Sequence, residues 1–196
     1  MHYTIIGLGN PGPEYENSRH NSGKTIVENL RRSFGFSDWK MSKKNLAEVS
    51  EGLVGKEKTV LIRPEVFMNA SGKAVLPFCT SKKAAKSLIV VYDDLDLPIG
   101  AFKISFNRGS GGHRGLESII RALKTKEFLR VRVGISPATP SGKIKKPAGE
   151  KKVIDFILGS FRPKENELIK KVSKQIIKAI EVLIAESKEK AMSLHN

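Results

Sequence analysis

Two apolar periodicities alternate along the chain. The runs Tyr3–Gly7 and Leu88–Tyr92 are continuous, apolar and rich in β-branched residues, the pattern of strands buried in a sheet. Ala47–Val54 and Thr59–Ile62 predict a strand pair joined across Gly55-Lys56-Glu57-Lys58, Ala101–Phe106 alternates in part, and Val131–Ile135 adds a short strand. Between these the period lengthens. Ile26, Val27, Leu30 and Phe34 recur at helical spacing and Gly35 supplies a C-cap. Leu116–Leu123 predicts a helix after a glycine-rich turn, and Ser71 to about Lys83 another, kinked or delayed by Pro77. A last amphipathic helix runs from Pro163, a favoured first-turn residue, to about residue 190. It buries Leu168, Val172, Ile176, Ile180, Leu183 and Ile184 and leaves Lys170, Lys171, Lys174 and Lys178 in water. Strands interleaved with helices predict an α/β fold: a single domain over residues 1–196, built on a mixed, mostly parallel twisted sheet with helices on both faces. The Pro/Gly/Lys-rich stretch 136–152 fits neither period and reads as a long basic loop.

Composition narrows the setting. With 39% hydrophobic and 28% charged residues the chain is globular rather than disordered, and 196 residues bury a core without staples. The single cysteine, Cys79, excludes an intrachain disulfide and a Cys-based zinc site. The N-terminus has no basic segment leading into an apolar one, and no run approaches the roughly 20 apolar residues that span a bilayer. A cytoplasmic protein without membrane attachment is expected. The net charge of +15 changes the picture most, because such a field attracts polyanions. The excess lies in the second half: Lys103, Arg108, Arg114, Arg121, Lys124, Lys126, Arg130 and Arg132 face only Glu117 and Glu127, and a further lysine cluster follows in 142–152. That distribution suits a surface for phosphates.

Candidate chemistry collects at the strand ends. Gly7-Leu8-Gly9-Asn10-Pro11-Gly12 has the letters of a dinucleotide fingerprint. Pro11 and Pro13 prolong the loop, however, and the helix begins only after His20, so no helix N-terminus is available for a pyrophosphate. An oxidoreductase reading is rejected on that ground, and Asn10 is left projecting from a tight loop at the ligand-binding edge of a sheet. His20, in Ser18-Arg19-His20-Asn21-Ser22-Gly23, is by itself equally a loop residue capping the next helix. Asp93, at the exit of the strand Leu88–Tyr92, faces the same edge and offers an acceptor for one ring nitrogen of His20, which leaves the other nitrogen to deprotonate water. Asp94 and Asp96 read as turn-capping acids. Gly109-Ser110-Gly111-Gly112-His113-Arg114-Gly115 is either a flexible connection or a backbone approach to an anion or peptide. Asn69, in Phe67-Met68-Asn69-Ala70-Ser71-Gly72, lies near a helix start, where capping accounts for it.

Taken in order, GLGNPGPEYENSRHNSG (7–23), FMNASGKAV (67–75), YDDLDLPIG (92–100), GSGGHRGL (109–116), RVRVGI (130–135) and VIDFILGSF (153–161) resemble the bacterial peptidyl-tRNA hydrolase family. The resemblance implies a metal-free, cofactor-free esterase of a single α/β domain, acting on peptidyl-tRNA as a monomer and gripping the acceptor stem and terminal CCA. It implies His20 as general base with Asp93 as its orienter, and substrate contacts from Asn10, Tyr15, Met68, Asn69, His113 and Arg114. Lys103 and Arg132 resemble the family's contacts to tRNA phosphates. Two positions depart: the family usually has asparagine where this chain has Arg114, and a basic residue where it has Ser105. The competing reading is an RNA-binding protein on the same scaffold without catalysis.

Overall fold

The computed structural model describes residues 2–196. Its strands are β1 (His2–Gly7), β2 (Lys40–Ser42), β3 (Ala47–Val54), β4 (Glu57–Pro64), β5 (Leu88–Pro98), β6 (Phe102–Phe106) and β7 (Leu129–Ser136). Its helices are α1 (Ser22–Phe34), α2 (Ser71–Val75), α3 (Lys82–Ala85), α4 (Arg114–Leu123), α5 (Glu150–Leu158), α6 (Pro163–Ala185) and α7 (Lys188–His195). The strands form one sheet in the order β2-β3-β4-β1-β5-β7-β6. β4, β1, β5 and β7 are parallel, and antiparallel strands flank them on both sides. This is the mixed α/β sheet that the alternation of elements predicts.

The continuous apolar runs are explained by burial on both faces. In β5, Ile89 and Val91 point into a core shared with α1 and α6, whereas Leu88, Val90 and Tyr92 point into a second core shared with α2 and α4. Ile5 and Ile6 of β1 divide in the same way, as do Leu61 and Ile62 of β4. Each strand therefore needs apolar side chains at successive positions, not alternate ones. α1 reaches the sheet through bare backbone: a Cβ on Gly23 would lie 2.3 Å from the Val91 carbonyl oxygen, and one on Gly7 would lie 2.3 Å from the Gly23 carbonyl. That contact draws the start of α1, and His20 just before it, against the ends of β1 and β5.

Several elements differ from expectation, each for a local reason. β5 continues past Tyr92 through Asp93 and Asp94, which pair with Val133 and Gly134 of β7. Acidic residues are poor strand formers, so the sequence pattern stops early. The helix expected over 71–83 is broken into α2, a 3-10 turn at Leu76–Phe78 with Pro77 in it, and α3. α6 buries the expected Val172, Ile176, Ile180, Leu183 and Ile184, but near its start Ile169 is buried and Leu168 is left 38% exposed. It also stops at Ala185, and Ser187 caps a separate α7 by accepting a hydrogen bond from the Lys190 N–H. α7 lies against the outer edge of β6, where the Asn196 side chain accepts from the Ile104 N–H at 2.7 Å and donates to its carbonyl at 2.9 Å. An edge strand is thereby capped. Finally, the loop expected over 136–152 ends at Gly149, and residues 150–158 are helical.

Candidate active site

Chain segments leaving the C-terminal ends of β1, β4 and β5, the β6–α4 connection and α5 enclose a cleft of about 1140 Å³. Ligands of open α/β sheets bind at this edge. Asn10, His20, Met68, Asn69, Asp93, Lys103, His113, Arg114 and Arg132, separated by up to most of the chain, all line it.

At its floor the His20 Nδ1 lies 2.9 and 3.0 Å from the two oxygens of Asp93, and both residues are buried. Nδ1 is thus the protonated donor, and the lone pair sits on Nε2. His113 approaches the same carboxylate, with Nε2 3.1 Å from Asp93 Oδ1. Its Nδ1 accepts the Leu116 N–H at the start of α4, so the proton of this ring lies on Nε2. Its ring also packs edge-on against Tyr92 and tilted against His20, with centroids 4.9 and 5.1 Å away. Gly111 and Gly112, at φ of 62° and 80°, turn the chain so that His113 enters the cleft as the N-cap of α4. Asp93 therefore orients two imidazoles. Burial works against its charge, but the two histidines outweigh burial and hold its carboxyl well below the usual carboxylate range. Burial likewise opposes protonation of His20, yet the charge and hydrogen bond of Asp93 prevail and lift the imidazole above its ordinary 6.5, while the Arg114 guanidinium pulls the other way.

The amides are set by backbone contacts. Asn10 and Asn21 are locked together, the Asn10 N–H donating to Asn21 Oδ1 at 2.8 Å and the Asn21 NH₂ donating to the Asn10 carbonyl at 3.0 Å. Asn10 Oδ1 accepts the Met68 N–H at 2.8 Å, which leaves the Asn10 NH₂ as the group free to donate into the cleft. Met68 is buried beneath it, whereas Asn69 is exposed on the cleft wall. Tyr15 does not line the cleft: it stands behind Phe67, its ring edge-on at 6.3 Å, and Phe67 presents the surface.

The far wall is basic. Lys103 and Arg132 are cross-strand neighbours on β6 and β7, and Ser105 and Arg130 are the next pair on that face. Lys103 is exposed and makes no ion pair among the described residues, while Arg132 Nε donates to Asp94 at 2.7 Å. Asp94 does satisfy a backbone donor, the Asp96 N–H, but its second oxygen serves this arginine. Arg130 is fully buried and donates to the carbonyls of Arg108 and Gly109, fixing the glycine-rich turn from below. The opposite wall is α5, whose Val153, Ile154, Ile157 and Leu158 make an apolar face. Arg19 clamps this helix to the His20 turn, its guanidinium 4.4 Å from the Phe156 ring centroid and bonded to Glu165 at 2.8 Å. Neither the α5 wall nor the Arg19 clamp is foreshadowed, because Lys151 and Lys152 hide the helical period and Arg19 reads as surface charge. The signal for α5 was the i, i+1, i+4, i+5 spacing of its apolar residues.

Among the described residues one group suits a metal by geometry: ligand atoms of His20, Asp93 and His113 lie within 4.8 Å of one another. An ion there would compete for the lone pairs that now accept the two ring protons.

This combination has close counterparts. The sequence model of the family described as peptidyl-tRNA hydrolase matches residues 4–196. A peptidyl-tRNA hydrolase of Herpetosiphon aurantiacus is 40% identical over 197 aligned residues, covering 99% of this chain and 90% of the relative. One of Trichodesmium erythraeum is 38% identical, with 98% and 87% covered. A crystal structure of peptidyl-tRNA hydrolase from Acinetobacter baumannii superposes with a TM-score of 0.88 at 29% identity, covering 99% of this chain and 94% of that one. Full-length sequence similarity and a shared fold lead to one assignment: the chain belongs to the peptidyl-tRNA hydrolase family.

Proposed function

We propose that this protein hydrolyses the ester between a peptidyl group and the terminal ribose of tRNA, with His20 as the general base. The observation that carries the reading is the His20–Asp93 contact of 2.9 Å at the floor of a cleft with one basic wall. Asp93 holds the proton on Nδ1 and directs the Nε2 lone pair to a water. As the water oxygen attacks the carbonyl carbon, Nε2 takes its proton, and the charge that builds on the carbonyl oxygen is met by an amide donor from Asn10 or Asn69. Collapse breaks the bond to the ribose oxygen, and the proton held by His20 passes to that oxygen. A ribose hydroxyl is an undemanding leaving group, so a base, a water and a neutral donor suffice. His113 is a positioning residue that holds Asp93 from the second side. Met68 and Arg114 complete the peptide side of the cleft, with Tyr15 supporting it through Phe67.

Lys103 and Arg132 contact phosphates of the acceptor stem, and the terminal CCA crosses the cleft towards His20. Lys103 is ready for this role, whereas Arg132 shares its charge with Asp94. The enzyme acts as a monomer in the cytoplasm and requires no cofactor. The alternative of a non-catalytic RNA-binding protein is disfavoured by the His20–Asp93 pair and by family membership. Incubation with N-acetylaminoacyl-tRNA and with unblocked aminoacyl-tRNA tests the reading. Ester release from the blocked substrate, lowered roughly 10²–10⁴-fold in kcat by His20→Ala with tRNA binding retained, is the expected result. Near-native turnover by His20→Ala removes His20 from the mechanism, and tight tRNA binding without any cleavage favours the non-catalytic reading.

A further inference from the structure

The peptide side of the cleft carries one cation that the reaction does not use. Arg114 is the first residue of α4, its side chain is 61% exposed, and Nη2 bonds at 2.8 Å to the Glu150 carboxylate on the opposite rim. Among the other cleft cations, Lys146 is paired with Asp96, Arg132 with Asp94 and Arg130 with two backbone carbonyls, while Lys103 lies on β6 and Arg108 just after it. Arg114 also lies near enough to His20 for its charge to oppose protonation of the imidazole.

The Arg114–Glu150 pair is asymmetric. Glu150 is the first residue of α5, so the positive end of that helix stabilises its carboxylate even without a partner. Arg114 is also the first residue of a helix, and there the same dipole is unfavourable to a cation. Parted from each other, Glu150 is well solvated and 77% exposed, while Arg114 still lacks an anion. An exposed pair of this kind is weak and opens readily. A carboxylate on a substrate can then take the place of Glu150 at little cost, whereas an ammonium on a substrate would have to detach Glu150 and leave Arg114 unpaired beside it.

We infer that Arg114 is a specificity residue that favours peptides with an acidic side chain among their last two residues, the carboxylate displacing Glu150 from the guanidinium. This rests on the ester-hydrolase reading above. The class of ligand follows from the charge at stake: an Asp or Glu side chain close to the scissile ester.

The test uses one tRNA body, acylated by a ribozyme with N-acetylated dipeptides that carry Glu or its isostere Gln at either position. The wild-type protein should show kcat/KM roughly three- to fivefold higher for Glu than for Gln at one of the two positions, the scale of a partly exposed ion pair. Arg114→Gln should abolish the preference, Arg114→Lys should retain part of it, and Glu150→Gln should enlarge it by removing the competing carboxylate. Equal rates for Glu and Gln in the wild-type protein overturn the inference while leaving ester hydrolysis intact, and so does a preference that survives Arg114→Gln. Failure to cleave any of the four esters overturns the hydrolase reading and this inference with it.

Discussion

Asp93→Asn preserves shape, removes one charge and puts a donor where the second carboxylate oxygen faces His20. The carboxylate accepts from His20 at 2.9 and 3.0 Å and from His113 at 3.1 Å, whereas a carboxamide offers one acceptor and one donor. The Nδ1 of His113 is already taken as acceptor for the Leu116 N–H, so its Nε2 proton claims the amide oxygen. That oxygen also lies 2.9 Å from His20 Nδ1, but the amide NH₂ takes the second position, 3.0 Å from the same nitrogen, donor against donor. His20 relieves the clash by moving its proton to Nε2, the atom required as base. A wrong-tautomer imidazole of this type costs roughly 10³–10⁴-fold in kcat, about 4–5.5 kcal/mol of barrier. KM should change little, because tRNA is gripped elsewhere. Without the Asp93 charge, burial and Arg114 both disfavour the imidazolium, so the acid limb of residual activity shifts to lower pH. The assay is kcat and KM for N-acetylaminoacyl-tRNA from about pH 5 to 9, spanning histidine titration. Activity within about tenfold of wild type, or an unmoved acid limb, refutes the argument. Stability supplies a second reading. The depressed carboxyl of Asp93 stabilises the fold above its ordinary 3.8 and loses that effect as pH falls. The raised pKa of His20 stabilises it below 6.5 and loses that effect as pH rises through the folded value. The stability cost of Asp93→Asn should therefore be greatest between those two values.

Lys103→Ala should flatten the salt dependence of tRNA binding by about one phosphate contact, and Arg132→Ala by less, because Asp94 already holds part of that charge. Filter binding over a salt series measures both, and equal slopes for Arg132→Ala and Lys103→Ala would count against the difference. Gly23→Ala places a methyl 2.3 Å from the Val91 carbonyl and should cost at least about 2–3 kcal/mol by overpacking, read as a fall of roughly 5–10 °C in Tm. An unchanged Tm would mean that α1 can retreat from the sheet freely. Glu28, buried in part and bonded to Trp39, Arg31 and Arg32, has its carboxyl lowered to about 2 despite the opposing effect of burial. Its stabilising effect is present above 4.5 and fades as pH falls towards 2, so urea midpoints of wild type and Glu28→Gln should converge over that interval. Parallel curves would exclude Glu28 as the cause.

The sequence foreshadows elements best where packing leaves one solution. Leu88–Val91 is legible as a buried strand because both of its faces meet a core, and α1 is legible because one stripe of it does. It is weakest where a residue acts against its type. Asp93 continues a strand that its propensity would end, and Lys151 and Lys152 sit in a helix whose apolar face looks into a cleft instead of the core. Leu168 illustrates a finer limit: the stripe of α6 from Val172 to Ile184 is buried as its period predicts, but near the helix start the packing takes Ile169 and leaves Leu168 outside.

For the site, the chain alone established which residue types were available: two internal histidines, each before a helix, one aspartate ending a central strand, amides in two loops, and a basic second half. The motifs carried the resemblance because they are local in the chain. How these groups divide the work follows from contacts between distant segments. The fold made His113 a second donor to Asp93, turned the Asn10 oxygen inward to Met68, moved Tyr15 one layer back, and paired Arg132 with Asp94 and Arg114 with Glu150. Those outcomes depend on contacts between segments as much as 58 residues apart, such as the Asn10 side chain and the Met68 N–H. Hydrogen-bond direction and ion pairing act over a few ångströms of space, and a linear pattern carries that information only within a turn or a strand.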